Sequence, residues 1–420
     1  MTTPKLALIP CGYKASKVYS VLPTDGTGDF TFSRAGAATR VNSEGLIEEV
    51  LSNVPRLNYS LIDGVVQNCP SLLLEPARTN IITYSEDFSN AYWTKTGSSV
   101  VSGFVSPKGD LSAFKLVEDT STAVHTINTI TSAVGSNYSL SIFAKAGERR
   151  YISLAFSDLA EWLSQYTFDL TDGVLTDTYN FTGVTSIFKS EVLADGWYKL
   201  SLSSNYTFVT NVYSRIFIEE TATPPTIPTN SYTGDGTSGV YIFGAQLEQG
   251  SYATSYIPTQ GSIGTRVDES CSQTPPSGII GQTEGTMFVE AKIEGIKDSN
   301  TLFAIHNGTF DEYLVISGNS SGQINAYIYA DGTQQTAILS GTYAVDSVVK
   351  CAFAYKNNDV AYYINGVQIG TDSSATMADT SIVNLGNISF FNAPLHGTVK
   401  QAQLYTTRLS NAELQALTKI

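Results

Sequence analysis

Hydrophobic and polar residues alternate with a period of two in many short stretches of the chain. This period is typical of half-buried strands, because successive side chains of a strand point to opposite faces of the sheet. Turn residues, mainly Gly, Asn, Asp and Pro, separate the stretches. The pattern predicts strands within residues 138–145, 195–202, 213–218, 239–247, 285–292, 349–355, 359–364 and 367–369.

Helical periodicity is found at the C-terminal end of the chain, within residues 408–417. Ser410 followed three residues later by Glu413 forms a capping box, the usual start signal of a helix. Residues 158–164 are interpreted as a single helical turn or a loop. The abundance of Gly (34), Tyr (24) and Phe (19) suits short strands joined by tight turns. The sequence therefore predicts an all-β fold with one short C-terminal helix.

The pattern divides the chain into regions of different character. Residues 1–78 lack sustained periodicity and are interpreted as an extended anchoring segment that becomes ordered on assembly. Residues 79–262 and 284–420 each carry several strands at the spacing of a β-sandwich or jelly roll. Residues 263–283, rich in Ser, Gly, Gln and Pro, are interpreted as a linker. We therefore predict two β-sandwich domains in tandem after the N-terminal segment.

Composition and charge exclude several classes of function. Acidic residues outnumber basic ones by 38 to 24, and no run of Lys or Arg is present, so neither nucleic acid nor an anionic membrane is an expected partner. No apolar stretch is long enough to span a membrane. The cysteines are scattered without a CxxC pair, which predicts reduced and mostly buried thiols at Cys11, Cys69, Cys271 and Cys351.

Several motifs carry a family resemblance over about residues 25–268. They include DGTGDFTFSR at 25–34, CPSLLLEPARTN at 69–80 and GAQLE at 244–248. Together they resemble bacteriophage structural proteins with a carbohydrate-binding-like jelly roll. The last region, with YINGV at 363–367 and LSNAEL at 409–414, resembles the concanavalin A-like (laminin-G-like) sandwich.

These resemblances imply a virion protein of the fibre or tail type, assembled in the cytoplasm of the host bacterium. Its implied partners are other virion proteins, sister chains in a homotrimer and a host cell-surface glycan. The N-terminal segment would hold the chain in the particle, with Arg34, Arg40 and Arg78 as candidate assembly residues. An alternative is a purely structural decoration or adaptor subunit, on the head or the tail, that binds no glycan.

Carbohydrate binding requires an aromatic plane for a sugar ring and hydrogen-bonding groups beside it. Trp93 and Trp197 lie on strand-like segments and are predicted to belong to the core. Trp162 lies in a polar stretch with Asp158, Glu161 and Tyr166, and in a helix Trp162 and Tyr166 would share a face. These four residues form the candidate sugar site, with burial or an intersubunit contact as the alternative for Trp162.

The sequence offers little support for metal or catalytic chemistry. Asn307, Asp311 and Glu312 are weak calcium candidates in a loop, where a solvated turn is the alternative, and no other cofactor is expected. The histidines are too far apart in sequence to form a metal motif. A glycan depolymerase would need two carboxylates about 5–10 Å apart across the bond. The available pairs, Asp158 with Glu161 and Glu219 with Glu220, match no catalytic motif. We therefore predict a protein that is not an enzyme.

Overall fold

The computed structural model describes residues 2–158, 161–224, 230–295, 299–388, 390–391 and 393–420. Within these ranges the chain is built from short β-strands and ends in one α-helix. The predicted all-β class and the short C-terminal helix are confirmed. No helix in the described ranges has the length and hydrophobicity needed to cross a membrane.

The N-terminal part of the chain, up to Asn80, contains short strands rather than one extended segment. They are β1 (Leu6–Leu8), β2 (Tyr13–Lys14), β3 (Lys17–Val18), β4 (Phe30–Ser33), β5 (Ala38–Val41), β6 (Ile47–Val50), β7 (Leu57–Asn58), β8 (Leu61–Ile62), β9 (Val65–Val66), β10 (Ser71–Leu74) and β11 (Arg78–Asn80).

Strands of two to eleven residues follow in the middle of the chain. They are β12 (Thr94–Thr96), β13 (Ser98–Phe104), β14 (Ala113–Glu118), β15 (Thr122–Ala123), β16 (Thr126–Ser132), β17 (Gly135–Lys145), β18 (Tyr151–Ser157), β19 (Trp162–Asp169), β20 (Val174–Asn180), β21 (Ser186–Val192), β22 (Tyr198–Phe208), β23 (Asn211–Glu219), β24 (Tyr232–Thr233) and β25 (Gly239–Gln249). A single 3-10 turn, Ala194–Gly196, precedes β22.

The remaining strands and the helix complete the chain. They are β26 (Gly264–Arg266), β27 (Ser270–Gln273), β28 (Glu284–Ile293), β29 (Ser299–His306), β30 (Tyr313–Asn319), β31 (Ile324–Ala330), β32 (Thr333–Ile338), β33 (Val348–Lys356), β34 (Val360–Ile364), β35 (Val367–Asp372), β36 (Ile382–Leu385), β37 (Gly397–Tyr405) and α1 (Asn411–Thr418).

The middle sandwich consists of two antiparallel six-stranded sheets. One has the order β12-β16-β23-β18-β19-β20 and the other β13-β14-β25-β17-β22-β21. Alternate residues of these strands, such as Ile152, Leu154 and Phe156, fill the core between the sheets. Trp93 is buried in this core and Trp197 in an adjoining cluster, as predicted.

The C-terminal sandwich is completed by strands from the beginning of the chain. The edge of β37 pairs with β1 and β10, and β4 pairs with β27 in the opposite sheet. These strands and their neighbours contribute Leu6, Leu8, Val18, Phe30, Phe32, Leu57, Leu72 and Leu74 to its core. The middle sandwich is thus inserted into the C-terminal one, between β11 and β26, which pair with each other. Residues 263–283 include β26 and β27 and so form part of this framework rather than only a linker.

Local signals in the C-terminal region match the structure closely. Asn365 and Gly366 both have positive φ, as a tight hairpin turn between β34 and β35 requires. The Ser410 hydroxyl accepts a hydrogen bond from the Glu413 backbone, and the Glu413 carboxylate accepts one from the Ser410 backbone. The predicted capping box is therefore confirmed.

Five buried charged residues connect the N-terminal strands to β26 and β27. The Glu269 carboxylate accepts hydrogen bonds from Arg56 Nε at 2.8 Å and from Arg34 Nη1 at 2.9 Å. Arg56 Nη1 also donates to Glu75 at 2.6 Å, and Arg266 lies 3.3 Å from the same Glu75 oxygen. Burial opposes ionisation of Glu75, but Arg266 and Arg56 hold its pKa well below the ordinary value. We call these five residues the buried ion network.

Candidate functional site

The outer face of the sheet β12-β16-β23-β18-β19-β20 carries the aromatic and polar groups that a sugar site needs. On β23, Val212, Ile216 and Ile218 point into the core. Tyr213, Arg215 and Phe217 therefore point outwards, because side chains alternate along a strand. Arg215 lies beside Ala155 of β18, which in turn lies beside Gln165 of β19.

Trp162 begins β19 on this outer face. It is half-buried, with the Arg215 guanidinium 4.6 Å from the centre of its ring and the Phe217 ring 6.0 Å away. Arg215 Nε also donates a hydrogen bond to Ser157, directly opposite Trp162 on β18. The indole ring is therefore held in place by a cation and a neighbouring strand. We call Trp162, Tyr213, Arg215 and Gln165 the Trp162 face, in which Gln165 is itself buried.

The structure differs from the sequence interpretation of residues 158–164 in one important respect. Trp162 lies in a strand, and the register shifts between the pairs Phe156–Ser164 and Ser157–Trp162. The extra residue of this β-bulge moves the following side chains to the other face. Tyr166 is therefore buried in the core, where its hydroxyl donates to the Ser186 carbonyl. The expectation that Trp162 and Tyr166 share a face is wrong for this reason.

Asp158 and Glu161 flank the connection between β18 and β19, whose middle residues lie outside the described ranges. The Asp158 carboxylate accepts hydrogen bonds from the Glu161 backbone at 2.8 Å and from the Tyr206 hydroxyl at 2.6 Å. Glu161 is exposed. Both acids thus lie close to Trp162, and the Asp158 carboxylate stabilises the connection between β18 and β19.

A buried carboxyl lies at the other end of this outer face. Glu219 accepts hydrogen bonds from Ser153 at 2.9 Å, Gln165 at 3.1 Å and Asn230 at 2.7 Å. All three of these donors are uncharged. Burial raises the pKa of Glu219 to about 7, although the hydrogen bonds from Asn230 and Ser153 lower it.

The raised pKa of Glu219 predicts a pH-dependent cost to stability. Between its unfolded pKa of about 4.3 and about 7, the folded chain binds more protons, so the free energy of unfolding falls as the pH rises through this window. At about pH 8 we expect Glu219→Gln to be more stable than the wild type by about 3–4 kcal/mol, the free-energy equivalent of this pKa shift. At about pH 4.5 the two should be equal, because the wild-type carboxyl is then neutral in the folded chain.

Urea unfolding of both proteins at the two pH values measures this difference. Glu220→Gln is the matched control, since Glu220 is the neighbouring residue and is exposed. A Glu219→Gln variant that is less stable than the wild type at the higher pH would contradict the assignment of a raised pKa.

The calcium candidates of the C-terminal sandwich already serve as local hydrogen-bond acceptors. Glu312 accepts from the backbones of Asp331 at 2.8 Å and Asp379 at 2.9 Å. Asn307 accepts from the backbone of Thr309 at 2.9 Å, and Asp311 is exposed. In the described ranges no three His, Cys, Asp or Glu side chains are grouped so that they could hold a metal ion. Calcium binding stays a prediction.

The three arginines proposed for assembly have partners within the chain. Arg34 is buried in the ion network. Arg40 pairs with Glu48 at 3.1 Å, and the Arg78 guanidinium lies 4.9 Å from the ring centre of Tyr252. Arg34 in particular is a structural residue of the chain interior, and its donors are bonded within the chain rather than offered at the surface.

The thiols divide evenly between the interior and the surface. Cys271 and Cys351 are buried and Cys11 and Cys69 are exposed, and all four are free thiols. Burial raises the pKa of Cys351 to about 12. The expectation of mostly buried thiols thus holds for two of the four.

The two sandwiches face each other across a cleft of about 420 Å³ that is lined by both charged and apolar side chains. Lys189 of the middle sandwich lies 2.9 Å from Asp346 of the C-terminal one, and Lys292 lies 3.1 Å from the same oxygen. Lys189 also pairs with Glu191 at 3.2 Å. The Lys189–Asp346 pair therefore crosses the cleft, and the other two ion pairs lie on either side of it.

Sequence comparison assigns the C-terminal sandwich. Residues 270–415, about a third of the chain, match the family model described as the concanavalin A-like lectin/glucanases superfamily. The C-terminal sandwich is a concanavalin A-like domain. The match begins at β27, so the N-terminal strands that complete this sandwich lie outside it. No curated protein matches the chain.

Several solved structures are similar to about a third of the chain, with low TM-scores. The CBM40 module of the Ruminococcus gnavus IT-sialidase, bound to alpha2,3 sialyllactose, is 20% identical over 33% of this chain and 84% of that chain, with a TM-score of 0.31. The SAP-like pentraxin of Limulus polyphemus is 13% identical over 31% and 68%, with a TM-score of 0.27. The NanB sialidase of Streptococcus pneumoniae is 15% identical over 34% and 25%, with a TM-score of 0.30. Scores this low establish neither a shared ligand nor a shared site.

The residues of the Trp162 face other than Trp162 are not identified by the sequence interpretation. The alternation of Tyr213, Arg215 and Phe217 along a predicted strand is a usable signal, because it places two aromatic rings and a cation on one face. Gln165 gives no such signal, since the bulge at the start of β19 decides which way it points.

Proposed function

We propose that this protein is a non-enzymatic bacteriophage virion protein of the fibre or tail type that binds cell-surface carbohydrate. The sugar would bind on the Trp162 face of the middle sandwich. The observation that carries this proposal is the indole ring of Trp162, half-buried on an outer sheet face and held by Arg215.

The chemistry of this face suits a sugar ring. An indole plane can stack against the C–H groups of a pyranose, and a guanidinium offers several hydrogen-bond donors in a fixed plane. Because Trp162 and Arg215 are already positioned by Phe217 and Ser157, a ligand would cost little side-chain entropy on binding. Arg215 would also favour a sugar with a carboxylate or with adjacent hydroxyl groups.

The carboxylates near the Trp162 face are already hydrogen-bonded within the fold. This arrangement favours a binding role over a catalytic one. Asp158 accepts hydrogen bonds in the connection between β18 and β19, and Glu219 is buried among three donors. A hydrolase of glycans would need two carboxylates facing one open cleft. We therefore propose a binding role without cleavage.

The virion location and the trimer rest on the sequence resemblance of residues 25–268. In a trimeric fibre, weak sugar sites would act together, because linked sites raise the effective concentration of each other. Sedimentation equilibrium of the purified protein tests the trimer directly. A chain that stays monomeric at micromolar concentration would contradict the trimer but not sugar binding.

Loss of the indole ring is expected to abolish most of the binding. Truncation of a central aromatic anchor typically costs about 2 kcal/mol or more, so we expect Trp162→Ala to weaken glycan binding by about thirtyfold. Arg215→Ala should also weaken it, because Arg215 both orients Trp162 and would contact the sugar. A glycan array, with whole bacterial cells alongside, measures both effects.

A matched control for this experiment lies on the opposite sheet of the same sandwich. Ile187 of β21 is 57% exposed there, and Ile187→Ala should bind as the wild type does. If the folded wild type binds neither cells nor glycans, the adaptor subunit without glycan binding becomes the better hypothesis. If Trp162→Ala binds as well as the wild type, the site lies elsewhere.

A further inference from the structure

The Trp162 face continues sideways into an aliphatic surface on the middle sandwich. Trp162 of β19, Ser157 of β18, Tyr213 of β23 and Ile130 of β16 lie opposite one another in a row across four neighbouring strands. Neighbouring strands are about 4.8 Å apart, so the row extends for roughly 14 Å from Trp162 to Ile130. A ligand bound at Trp162 that is longer than one sugar ring would therefore reach Ile130.

The far end of this row is open to solvent. Ile130 is 51% exposed, and Val134 and Val209, which lie in two adjacent turns at the same end of the sandwich, are 66% and 73% exposed. The Ala133 backbone donates a hydrogen bond to the Thr210 carbonyl at 3.1 Å, which holds the two turns side by side. We call Ile130, Val134 and Val209 the aliphatic end.

The aliphatic end is also free of charge. Residues 126–144 and 200–214, which include its strands and turns, contain no charged side chain, although the chain has 38 acidic and 24 basic residues. The Arg215 guanidinium lies 4.6 Å from the ring centre of Trp162 and 5.4 Å from that of Tyr213. The cation thus lies over the first part of the row, and an exposed aliphatic side chain ends it.

The two parts of the row suit different parts of a glycan. A hydroxyl group that packs on an aliphatic side chain loses water without gaining a hydrogen bond, which is costly. A methyl group instead buries apolar surface there, which is favourable in proportion to the area removed from water. Deoxyhexoses and acetylated sugars carry such methyl groups. The sugar residue that fits Ile130 is therefore neutral and bears a methyl group.

We propose that the glycan bound on the Trp162 face contains a methyl-bearing sugar, either a deoxyhexose or an acetylated sugar, whose methyl group packs on Ile130. The inference rests on the proposed function and deepens it by naming the class of sugar. One ring of the glycan would lie at Trp162 and Arg215, and a neighbouring ring would lie at Tyr213 and Ile130. Val134 and Val209 extend the apolar surface beyond this second ring.

A glycan array that contains matched pairs tests this inference on the full-length protein. N,N′,N″-triacetylchitotriose is compared with cellotriose, which has hydroxyl groups in place of the acetamido groups. Immobilised α-L-rhamnose is compared with α-L-mannose, which has one additional hydroxyl group in place of a hydrogen of the methyl group. We expect the wild type to prefer the methyl-bearing member of at least one pair by about fourfold or more, the equivalent of one buried methyl group. The pair that shows the preference distinguishes acetyl groups from a deoxy position.

Two variants separate the two parts of the row. Ile130→Thr keeps a β-branched side chain but replaces aliphatic surface with a hydroxyl group, so it should weaken binding of the methyl-bearing member alone and remove the preference. Trp162→Ala should weaken binding of both members. The matched control is Val174→Thr, because Val174 is 54% exposed on the same sheet but pairs with Asp169, at the other end of β19 from Trp162. This control should bind as the wild type does.

Circular dichroism and the urea midpoint verify that each variant is folded. Equal binding of both members of each pair, or a preference that survives Ile130→Thr, overturns this inference. The proposed function stands in that case if Trp162→Ala still weakens binding. A folded wild type that binds no glycan of the array and no bacterial cell counts against both. An oligomer that dissociates in Ile130→Thr, with the sugar preference unchanged, would overturn the inference by assigning the aliphatic end to a contact between copies.

Discussion

Replacing Glu269 with alanine is expected to destabilise the folded chain by about 3–5 kcal/mol. Glu269 is buried and pairs with both Arg34 and Arg56. Its removal leaves the buried ion network with a single carboxylate, Glu75, for three buried arginines. Few surface pairs approach this effect, since exposed ion pairs contribute about 0–1 kcal/mol.

Urea unfolding of the wild type and of Glu269→Ala and Glu269→Gln measures this prediction. The glutamine variant keeps the shape but loses the charge, so it should also be destabilised, by less than the alanine variant. Glu44→Gln is the control, because Glu44 is exposed in a turn near the same strands. A change below about 1 kcal/mol for Glu269→Ala would place it among ordinary surface pairs and contradict the role of the network.

The position of the network explains why its loss should also loosen the N-terminal strands. Arg34 and Arg56 lie between β4 and β7, whereas Glu269 lies just before β27. Arg34 also donates to the carbonyl groups of Val50 and Leu51. We therefore interpret the network as the polar counterpart of the apolar contacts that hold the start of the chain on the C-terminal sandwich.

Strands with long alternating runs can be predicted from the sequence, and those with distant partners cannot. β23 and β25 combine period-two alternation with clear turn residues, so the predicted ranges 213–218 and 239–247 fall within them. β4 and β10 are short, and they pair with β27 and β37, which come much later in the chain. Nothing local encodes such pairing, and for this reason the sequence pattern of residues 1–78 indicates only an extended segment.

The candidate site can likewise be predicted only in part from the sequence. Trp162 can be selected because it stands in a polar stretch outside the matched motifs. Its true neighbours, Arg215 and Phe217, come from another strand, and their proximity follows from the sheet order. The bulge that separates Tyr166 from Trp162 depends on one extra residue in β19, which the alternation pattern does not reveal. The sequence therefore predicts which side chains could contact a sugar. It does not predict which residues of neighbouring strands lie beside them.

Removal of the N-terminal strands is also expected to have a large effect, because they form part of the C-terminal sandwich. We expect residues 264–420 alone to aggregate or remain unfolded. They would lack the eight apolar side chains that β1, β3, β4, β7 and β10 bury in the shared core. At about 1.5–3 kcal/mol for each buried side chain, this is on the order of 12–24 kcal/mol of gross stabilisation, as large as the net stability of most domains. The missing strands would also leave one edge of β37 unpaired, and an open edge promotes aggregation.

A shortened chain should restore folding if the middle sandwich is an insertion. Asn80 of β11 lies opposite Gly264 of β26 in an antiparallel pair. A two-residue Asn-Gly turn can therefore join these positions and replace residues 81–263. We expect this chain to be soluble and to unfold cooperatively, although less stable than the full protein because Ile47 loses its packing on the middle sandwich.

Solubility, circular dichroism and urea unfolding of the two shortened chains distinguish two roles for the start of the chain. If residues 264–420 fold alone as stably as the joined chain, the N-terminal strands are accessory, and residues 1–78 would be free to serve as the anchor that the sequence predicts. If only the joined chain folds, the N-terminal strands are a required part of the C-terminal core. Their apolar side chains cannot be buried in that core and contact a neighbouring subunit at the same time. Any anchoring would then have to use outer surfaces of the combined sandwich.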